Sequence, residues 1–367
     1  MKSTKILFKL PKADDFHLHL RDGIYLKHTV PYTAKSYARA VIMPNIKPPV
    51  TSIVLAKNYR ERIIQNVPSD TTFEPLMTLY LNPQVKLQEI QEIPHHPEII
   101  GIKLYPSGAT THSEEGVETI EDFYPYFEFM EKYHVPLMIH AEVVDPDVDI
   151  FDREKVFIDR HLIKIRESFP ELKITFEHVS TREAVDFVNA YRNTAATITP
   201  QHLLLTRNEL LVGGIRPHHY CLPVVKTKED QKAILEQIVK QNPKFFAGTD
   251  SAPHPKQKKE SHRGPAGIFT SPISIELYFF AFFSYIKNQS LDITVLEDLM
   301  QNFLCRFGSE YYGLPINQNK ELYLVEEEFV IPDSYPFGDE EVVPLWAGEK
   351  LPWKIYTKDE FEKYHKI

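Results

Sequence analysis

The chain has few cysteines, no long apolar run and no excess of positive charge. Only Cys221 and Cys305 occur among 367 residues, so no disulfide framework is indicated and a reducing compartment is expected. The most apolar run, residues 273–286, contains Glu276 and is shorter than the ~20 residues that a bilayer requires, which favours a buried helix. The net charge of −9 argues against a nucleic-acid partner, which needs a basic face.

Two further signals are absent. Residues 1–15 contain lysines but few consecutive apolar residues, so we expect no signal peptide. No GxGxxG stretch follows an apolar run, which counts against a doubly wound sheet that binds a nucleotide. Together these absences predict a soluble, cytoplasmic protein whose partner is neither a membrane nor a nucleic acid.

Short β-rich runs alternate with segments of helical length, such as residues 52–67, 117–134 and 181–193. Strands separated by helices run parallel, and eight such units close into a (β/α)8 barrel of the TIM type. The eight runs are residues 15–21, 39–45, 72–81, 101–106, 136–142, 173–179, 196–201 and 244–250. An open doubly wound sheet is the alternative fold.

The pattern changes near residue 315. Beyond it, short polar and apolar runs such as ELYLVEEEFVIP are separated by prolines. We therefore predict a barrel domain over residues 1–315 and a small C-terminal extension over residues 316–367 that packs on the barrel.

The stretch DDFHLHLRDG, residues 14–23, places two histidines one residue apart in an apolar frame. Alternation along a strand would send His17 and His19 to the same face, with their Cα atoms about 6.6 Å apart. Both imidazoles could then bind one metal ion. A pair of half-exposed histidines on an edge strand is the alternative interpretation.

Other polar residues fall at the ends of the predicted strands. His140, His178 and Asp250 end the fifth, sixth and eighth strands, Asn45 ends the second, and Lys103 lies in the fourth. Catalytic groups of a barrel come from these strand ends. Each residue alone has a structural explanation, such as a core histidine or an aspartate that caps a helix. Their common location favours a metal site.

Lys103 lies in EIIGIKLYP, where its near neighbours are apolar. Burying an unpaired ammonium is strongly disfavoured, so the side chain either extends to solvent or loses its proton. A neutral amine can react with CO2 to give a carbamate, whose two oxygens can bridge two cations. Four histidines, one aspartate and this carbamate would complete a two-metal site with room for hydroxide.

Longer motifs are more specific than the HxH pair. MPNIKPPVT, RPHHYCLP and GTDSAPH resemble segments of the amidohydrolase superfamily and, within it, of the bacterial-type (class II) dihydroorotase family. The similarity runs over nearly the whole chain. It implies a homodimeric zinc hydrolase of pyrimidine synthesis that converts L-dihydroorotate reversibly to N-carbamoyl-L-aspartate, by attack of a hydroxide that bridges two metal ions.

The resemblance also implies a set of metal ligands. One zinc ion would be held by His17, His19 and Asp250, the second by His140 and His178, and carbamylated Lys103 would bridge both. Zinc suits imidazole and carboxylate ligands. Asp250 would take the proton of the hydroxide and pass it to the leaving nitrogen, so Asp250 and Lys103 are the catalytic candidates.

The substrate contacts are implied in the same way. Arg21, Asn45 and His254 would bind the exocyclic carboxylate of the substrate, and the planar guanidinium of Arg21 suits that group. Backbone groups of Leu222 and Ala266 would contact the pyrimidine ring.

Residues 106–116 are similar to the family's mobile loop. That loop would bring Thr110 and Thr111 over the ligand. His202 and His218 also lie in motif stretches, but nothing gives them a role, and we interpret both as structural.

Three other functions fit part of the pattern. A hydantoinase or dihydropyrimidinase would hydrolyse a cyclic amide without needing Arg21, Asn45 and His254 as a carboxylate clamp. A non-catalytic amidohydrolase-like scaffold would be expected to lose metal ligands, and this chain has a complete set. A deaminase with a single metal ion would not require Lys103.

Overall fold

The structure is a computed structural model and describes residues 5–365. Residues 1–4 and 366–367, the outer ends of the two predicted domains, lie outside the described residues. The strands are β1 (Ile6–Pro11), β2 (Ala13–Leu18), β3 (Tyr37–Ile42), β4 (Glu74–Tyr80), β5 (Ile99–Leu104), β6 (Leu137–Ile139), β7 (Ile174–Phe176), β8 (Thr194–Ile198), β9 (Phe245–Ala247), β10 (Lys320–Val330), β11 (Tyr335–Phe337), β12 (Glu340–Val342) and β13 (Lys350–Thr357). The α-helices are α1 (Leu26–Ala34), α2 (Ile53–Ile64), α3 (Leu87–Glu92), α4 (Tyr124–Lys132), α5 (Arg153–Phe157), α6 (Ile163–Ser168), α7 (Arg182–Ala190), α8 (Pro200–Leu204), α9 (Arg207–Leu211), α10 (Lys228–Val239), α11 (Lys256–Lys259), α12 (Ser274–Asn288), α13 (Leu296–Gln301), α14 (Phe307–Tyr312) and α15 (Lys358–His365).

Strands β2 to β9 form one parallel sheet in which each strand pairs with the next along the chain. Leu18 at the end of β2 pairs with Ser251 just beyond β9, so the first and last strands meet and the sheet closes. Parallel strands are covered on both faces, and every residue of β5 is buried, which explains its continuous apolar run. The predicted (β/α)8 barrel is confirmed.

Side-chain caps explain where two of the outer helices begin. Ser52 accepts a hydrogen bond from the amide of Leu55 at the start of α2, and Thr181 accepts one from the amide of Ala184 at the start of α7. Such caps satisfy amides that have no partner within the helix.

Residues 273–286, the most apolar run, lie almost entirely in α12, and most of that helix is buried. The predicted buried helix is therefore confirmed. Among residues 5–365, no helix combines the length and the apolar character needed to cross a membrane.

Aromatic side chains close the barrel at the N-terminal ends of its strands. Lys173, directly before β7, donates a hydrogen bond to the carbonyl of Tyr311 in α14 (2.8 Å), which places α14 at that end. The ring of Tyr312 stacks on Phe16 of β2 with 5.3 Å between centroids. A Cβ atom on Gly308 would lie 2.2 Å from the Phe16 ring, so α14 packs too closely for any larger residue there. A site can open only at the other end.

The C-terminal strands form a separate sheet with the first strand of the chain. β10 pairs antiparallel with both β1 and β13. Oε1 of Glu276 in α12 accepts a hydrogen bond from the amide of Ile355 in β13 (3.0 Å), which connects the barrel to this sheet. The division at residue 315 stays a prediction, and β1, from the first predicted range, shares a sheet with strands of the second.

Several strands end earlier than the predicted runs. β2 ends at Leu18 and β9 at Ala247, three residues before the ends of the predicted runs at 21 and 250. Arg21, His178 and Asp250 have φ angles of 63°, 42° and 44°, which lie outside the β region. The chain leaves the sheet where the polar residues begin. The predicted runs were therefore too long, because they included the first loop residues after the strands.

Candidate active site

Most of the predicted site residues converge at the C-terminal ends of the barrel strands, around a cavity of about 20 Å³, which Lys103 and His254 do not line. Predicted residues that line it are His17, His19, Arg21, Asn45, Thr110, Thr111, His140, His178, Leu222, Asp250 and Ala266. Tyr105, Ala252 and Gly267 line it as well, although the sequence analysis did not single them out.

His17, His19 and Asp250 form the first cluster. The Nε2 atoms of His17 and His19 are 3.3 Å apart, and Oδ1 of Asp250 lies 3.4 Å and 3.1 Å from them, respectively. The three ligand atoms lie within 4.8 Å of one another. Ligand atoms of a tetrahedral zinc ion, at about 2.0–2.1 Å from it, are about 3.3 Å apart, so this spacing fits one divalent cation.

His140 and His178 form a second cluster. Nδ1 of His140 lies 3.1 Å from Nε2 of His178, and the rings of His178 and His17 are 5.0 Å apart at their centroids. The two clusters are therefore adjacent. Burial lowers the pKa of His17 and of His178 well below the usual value, and the neutral imidazole is the form that binds a metal.

Lys103 is fully buried beside these clusters. Its Nζ atom has no hydrogen-bond partner within residues 5–365 and lies 5.2 Å from the centroid of the Tyr105 ring. Burial lowers the pKa of Lys103 to about 8, although Glu177 and Asp250 favour the ammonium. An amine with this pKa is partly neutral near pH 7, as carbamate formation requires.

Arg21 lines the cavity and is in contact with His254, which does not line it. Nε of Arg21 donates a hydrogen bond to the carbonyl of Pro253 (2.9 Å), and its Nη2 lies 3.1 Å from Nε2 of His254. Nε2 of His254 is also 2.9 Å from the carbonyl oxygen of Ala266. Within the described chain Arg21 forms no ion pair with a carboxylate, so its charge is available to an anionic ligand.

Residues 106–116 cover the cavity and are tied to Asn45. Nδ2 of Asn45 donates a hydrogen bond to the carbonyl of Thr111 (2.8 Å), and Nδ1 of His112 lies 3.1 Å from the carbonyl oxygen of Asn45. Thr110 and Thr111 both line the cavity. With this segment closed the cavity has room for about one water molecule, so a larger ligand requires the segment to move.

The chain is similar to dihydroorotases along almost its whole length. It is 50% identical over 351 residues to the dihydroorotase of Coxiella burnetii, which covers 95% of this chain and 98% of that protein. The chain belongs to the dihydroorotase family. No protein-family model matches the chain.

Solved structures of dihydroorotases share the fold. The crystal structure of the Campylobacter jejuni dihydroorotase superposes with a TM-score of 0.85 at 34% identity and covers 97% of this chain and 98% of that one. The Saccharomyces cerevisiae dihydroorotase in complex with 5-fluoroorotic acid gives 0.84 at 29% identity, with 95% of this chain and 98% of that one covered.

Dihydroorotases depend on metal ions, and the residues present here fit that requirement. The first cluster has the ligand spacing of a tetrahedral site, and the second lies next to it. The buried Nζ of Lys103 lacks a hydrogen-bond partner in the described chain. A carbamate formed on it would be an anion that bound cations could pair with. The donor set of imidazoles and a carboxylate is typical of zinc sites.

Two buried carboxylates behind the histidines were missed by the sequence analysis. Glu177 hydrogen-bonds to Nδ1 of His17, and Glu142 lies 2.9 Å from Nε2 of His140. Such carboxylates fix the orientation of metal-binding imidazoles. A signal was present, since each glutamate lies within two residues of a candidate ligand in the sequence.

Asp15 was missed as well. It accepts hydrogen bonds from the amide of Thr249 (2.8 Å) and from the amide of His17 (3.1 Å). His17 is a proposed metal ligand in β2, and Thr249, beyond the end of β9, directly precedes the proposed ligand Asp250. Asp15 therefore connects the strand that carries His17 to the segment that carries Asp250.

The two histidines without a predicted role lie outside both clusters. Nδ1 of His202 is 2.8 Å from Oγ1 of Thr199, and its Nε2 is 2.9 Å from the carbonyl oxygen of Pro223. His218 lies 3.0 Å from Glu260 at the surface. His202 therefore supports the segment that carries Leu222, which agrees with a structural role.

Proposed function

We propose that the protein hydrolyses the ring amide of L-dihydroorotate reversibly to N-carbamoyl-L-aspartate, a step of pyrimidine synthesis. One observation carries this proposal: Arg21, which has no ion pair within the described chain, lines the same cavity as both histidine clusters. Clustered metal ligands suit hydrolysis, and a free guanidinium suits a carboxylate. L-Dihydroorotate combines a cyclic amide with an exocyclic carboxylate.

The proposal includes two zinc ions. His17, His19 and Asp250 would hold one, His140 and His178 the other, and Lys103, carbamylated by CO2, would contact both. When bound, the ions would lower the pKa of a water molecule and polarise the amide carbonyl of the substrate. The partly neutral amine of Lys103, buried without a partner in the described chain, supports the carbamate.

Asp250 is the residue that we propose to move the proton. Burial would raise the pKa of Asp250, but the hydrogen bond with His19 and the proximity of His17 lower it overall, so the group is a carboxylate at neutral pH. It can take a proton from the attacking water and deliver it to the ring nitrogen that leaves.

Residues around the cavity would orient the substrate. Arg21, Asn45 and His254 would bind its carboxylate. Backbone groups of Leu222 and Ala266, which line the cavity, would contact the ring.

Thr110 and Thr111 would close over the bound ligand and exclude water. The hydrogen bond from Asn45 to the carbonyl of Thr111 (2.8 Å) supports this role, because it couples the covering segment to the carboxylate clamp.

A hydantoinase or dihydropyrimidinase is the second candidate, because its substrate is also a cyclic amide. Such an enzyme has no use for a guanidinium directed at a carboxylate. A scaffold without activity is disfavoured, because five of the six proposed metal ligands line one cavity and the sixth, Lys103, is buried near Asp250.

Steady-state hydrolysis of L-dihydroorotate and of dihydrouracil, which lacks the carboxylate, tests the proposal. We expect the wild type to prefer L-dihydroorotate. Arg21→Met should lower kcat/KM for it by about 100-fold, the equivalent of about 3 kcal/mol for an unpaired charged group, with the metal content unchanged. A wild-type preference for dihydrouracil would contradict the proposal and favour the dihydropyrimidinase.

Arg62→Met is a matched control. The Arg62 guanidinium pairs with Asp22 at 2.7 Å and its side chain is 42% exposed, outside the cavity. Arg62→Met should leave kcat/KM for both substrates unchanged. The control therefore separates a general effect of losing an arginine from the loss of the carboxylate clamp.

We also propose a cytoplasmic homodimer. The dimer rests on the family resemblance, and the cytoplasmic location is supported by two free, buried cysteines. Light scattering of the purified protein tests the dimer, since a monomer across the micromolar range would contradict it.

A further inference from the structure

Lys259, at the end of α11, is a buried lysine that the proposed chemistry does not use. The residue is 3% exposed. The Nζ atom donates hydrogen bonds to the carbonyls of Tyr220 (2.9 Å), Pro265 (2.8 Å) and Gly267 (2.8 Å). An ammonium has three donors, so each of them has a backbone partner.

This environment is unusual for a buried cation. Within residues 5–365 Lys259 forms no ion pair with a carboxylate, and burial lowers its pKa to about 7. Buried charges are disfavoured without a counter-ion, and a methionine would fill the same space at lower cost. The ammonium of Lys259 donates to all three carbonyls at once, which a methionine could not do, so the hydrogen bonds explain why a lysine is present.

The three carbonyls belong to two segments that line the cavity. Tyr220 lies two residues before Leu222, and Pro265 and Gly267 flank Ala266. The amide of Gly267 also donates a hydrogen bond to the carbonyl of Tyr220 (3.0 Å), so the two segments meet at this point. Neither segment belongs to a strand, and Lys259 joins them.

Close packing holds the second segment. Gly267 has a φ angle of 143°, and a Cβ atom there would lie 2.4 Å from the carbonyl oxygen of Ala252. On the other side, the carbonyl of Ala266 lies 2.9 Å from Nε2 of His254. The position of this segment is therefore fixed by backbone contacts, with Lys259 at their centre.

We propose that Lys259 is a positioning residue for substrate recognition, because it holds the backbones of residues 220–222 and 265–267 at the spacing that the amide groups of a pyrimidine ring require. The inference rests on the proposed function and adds a residue to it. Lys259 touches neither metal cluster nor substrate, so its loss should weaken ring binding more than it slows hydrolysis.

Lys259→Met, assayed as the metal-loaded enzyme with L-dihydroorotate, tests this. We expect KM to rise at least 10-fold, kcat to stay within about threefold, and metal content to be unchanged. Hydrogen exchange of the amides of residues 220–222 and 265–267 should become faster. Lys259→Gln, which keeps two side-chain donors, should give a KM between those of the wild type and Lys259→Met. It replaces Lys259→Met as the test if the methionine variant does not fold.

Lys12→Met is the matched control. Lys12 is 7% exposed, also donates three hydrogen bonds and lies directly before β2, at the opposite end of the barrel. The Lys12→Met variant should lower the thermal midpoint of unfolding without changing KM for L-dihydroorotate.

An unchanged KM in Lys259→Met and in Lys259→Gln, or an equal rise in KM in Lys12→Met, would overturn the inference about Lys259 but leave the proposed function standing. Absence of turnover in the wild type would instead remove the proposed function on which the inference rests. A loss of bound metal in Lys259→Met would also overturn the inference, because it would assign the residue to the metal site.

Discussion

Glu177 hydrogen-bonds to Nδ1 of His17, and both side chains are fully buried. The bond turns Nε2 of His17 toward His19 and Asp250. Oγ1 of Thr197 donates a second hydrogen bond to the same carboxylate oxygen of Glu177 (2.7 Å), so the glutamate is itself fixed. Glu177, which is not itself a proposed metal ligand, therefore sets the tautomer and the orientation of His17, which is one.

Glu177→Gln should weaken metal binding, because the amide keeps the shape of the carboxylate but loses its charge, and the basicity of His17 falls with it. Loss of such a partner typically reduces metal affinity by about 10–100-fold. Competition with a chelator, followed by elemental analysis, measures this directly.

Glu183→Gln is the control for that variant, since Glu183 lies on the outside of α7 with its side chain 43% exposed. Equal metal affinity in Glu177→Gln and in the wild type would show that His17 does not depend on Glu177.

Removal of metal should abolish activity and lower stability. Two clusters of imidazoles and a carboxylate predict two ions per chain, and ligand binding to the folded state alone stabilises it. A strong chelator should therefore lower the thermal midpoint, and added zinc should restore both midpoint and turnover. Full activity with one ion or none per chain by elemental analysis would be the contradictory result.

Lys103→Ala should lose metal and turnover, because it removes the proposed carbamate that would contact both ions. A short carboxylic acid added in solution should restore part of the activity, since it provides two oxygens in the vacated space. Lys103→Arg should stay inactive, because a guanidinium keeps its charge and forms no carbamate. An active Lys103→Arg enzyme would exclude the carbamate.

Glu276 predicts how stability depends on pH. Burial raises the pKa of Glu276 from 4.5 to about 7, although Lys35 and Lys354 lower it in part. The folded protein keeps this carboxyl protonated where the unfolded chain ionises it, so the group costs no stability below pH 4.5 and an increasing amount up to about pH 7.

Glu276→Gln removes that cost and should raise the free energy of unfolding at pH 8 relative to pH 5, by at most about 3 kcal/mol. Urea denaturation of the variant and the wild type at both pH values measures the difference. The exposed Glu310→Gln is the control. A gain that is the same at both pH values would show that Glu276 is already ionised in the folded protein.

The barrel could be predicted because its signals are local. A parallel strand covered on both faces gives a continuous apolar run, as in β5, and helices separate such runs at a regular spacing. The pairing of β1 with β10 could not be predicted, because it joins segments more than 300 residues apart that carry no local signal of each other.

The site was predictable where its residues belong to recognisable motifs. Glu177 was missed because alternation along a strand would put it on the face opposite His178. The chain leaves strand geometry after Phe176, and His178 has a positive φ, so both side chains reach the site. Lys259 was missed because the stretch PKQKKE is typical of a solvated surface. Its burial depends on carbonyls up to 39 residues away.

Formation of N-carbamoyl-L-aspartate from L-dihydroorotate tests the proposed reaction directly. The purified protein, loaded with zinc, is incubated with L-dihydroorotate, and the product is identified by chromatography against an authentic standard. We expect ring opening to N-carbamoyl-L-aspartate, and the reverse reaction when that compound is the starting material. Unchanged L-dihydroorotate after incubation with protein that holds two metal ions per chain would contradict it.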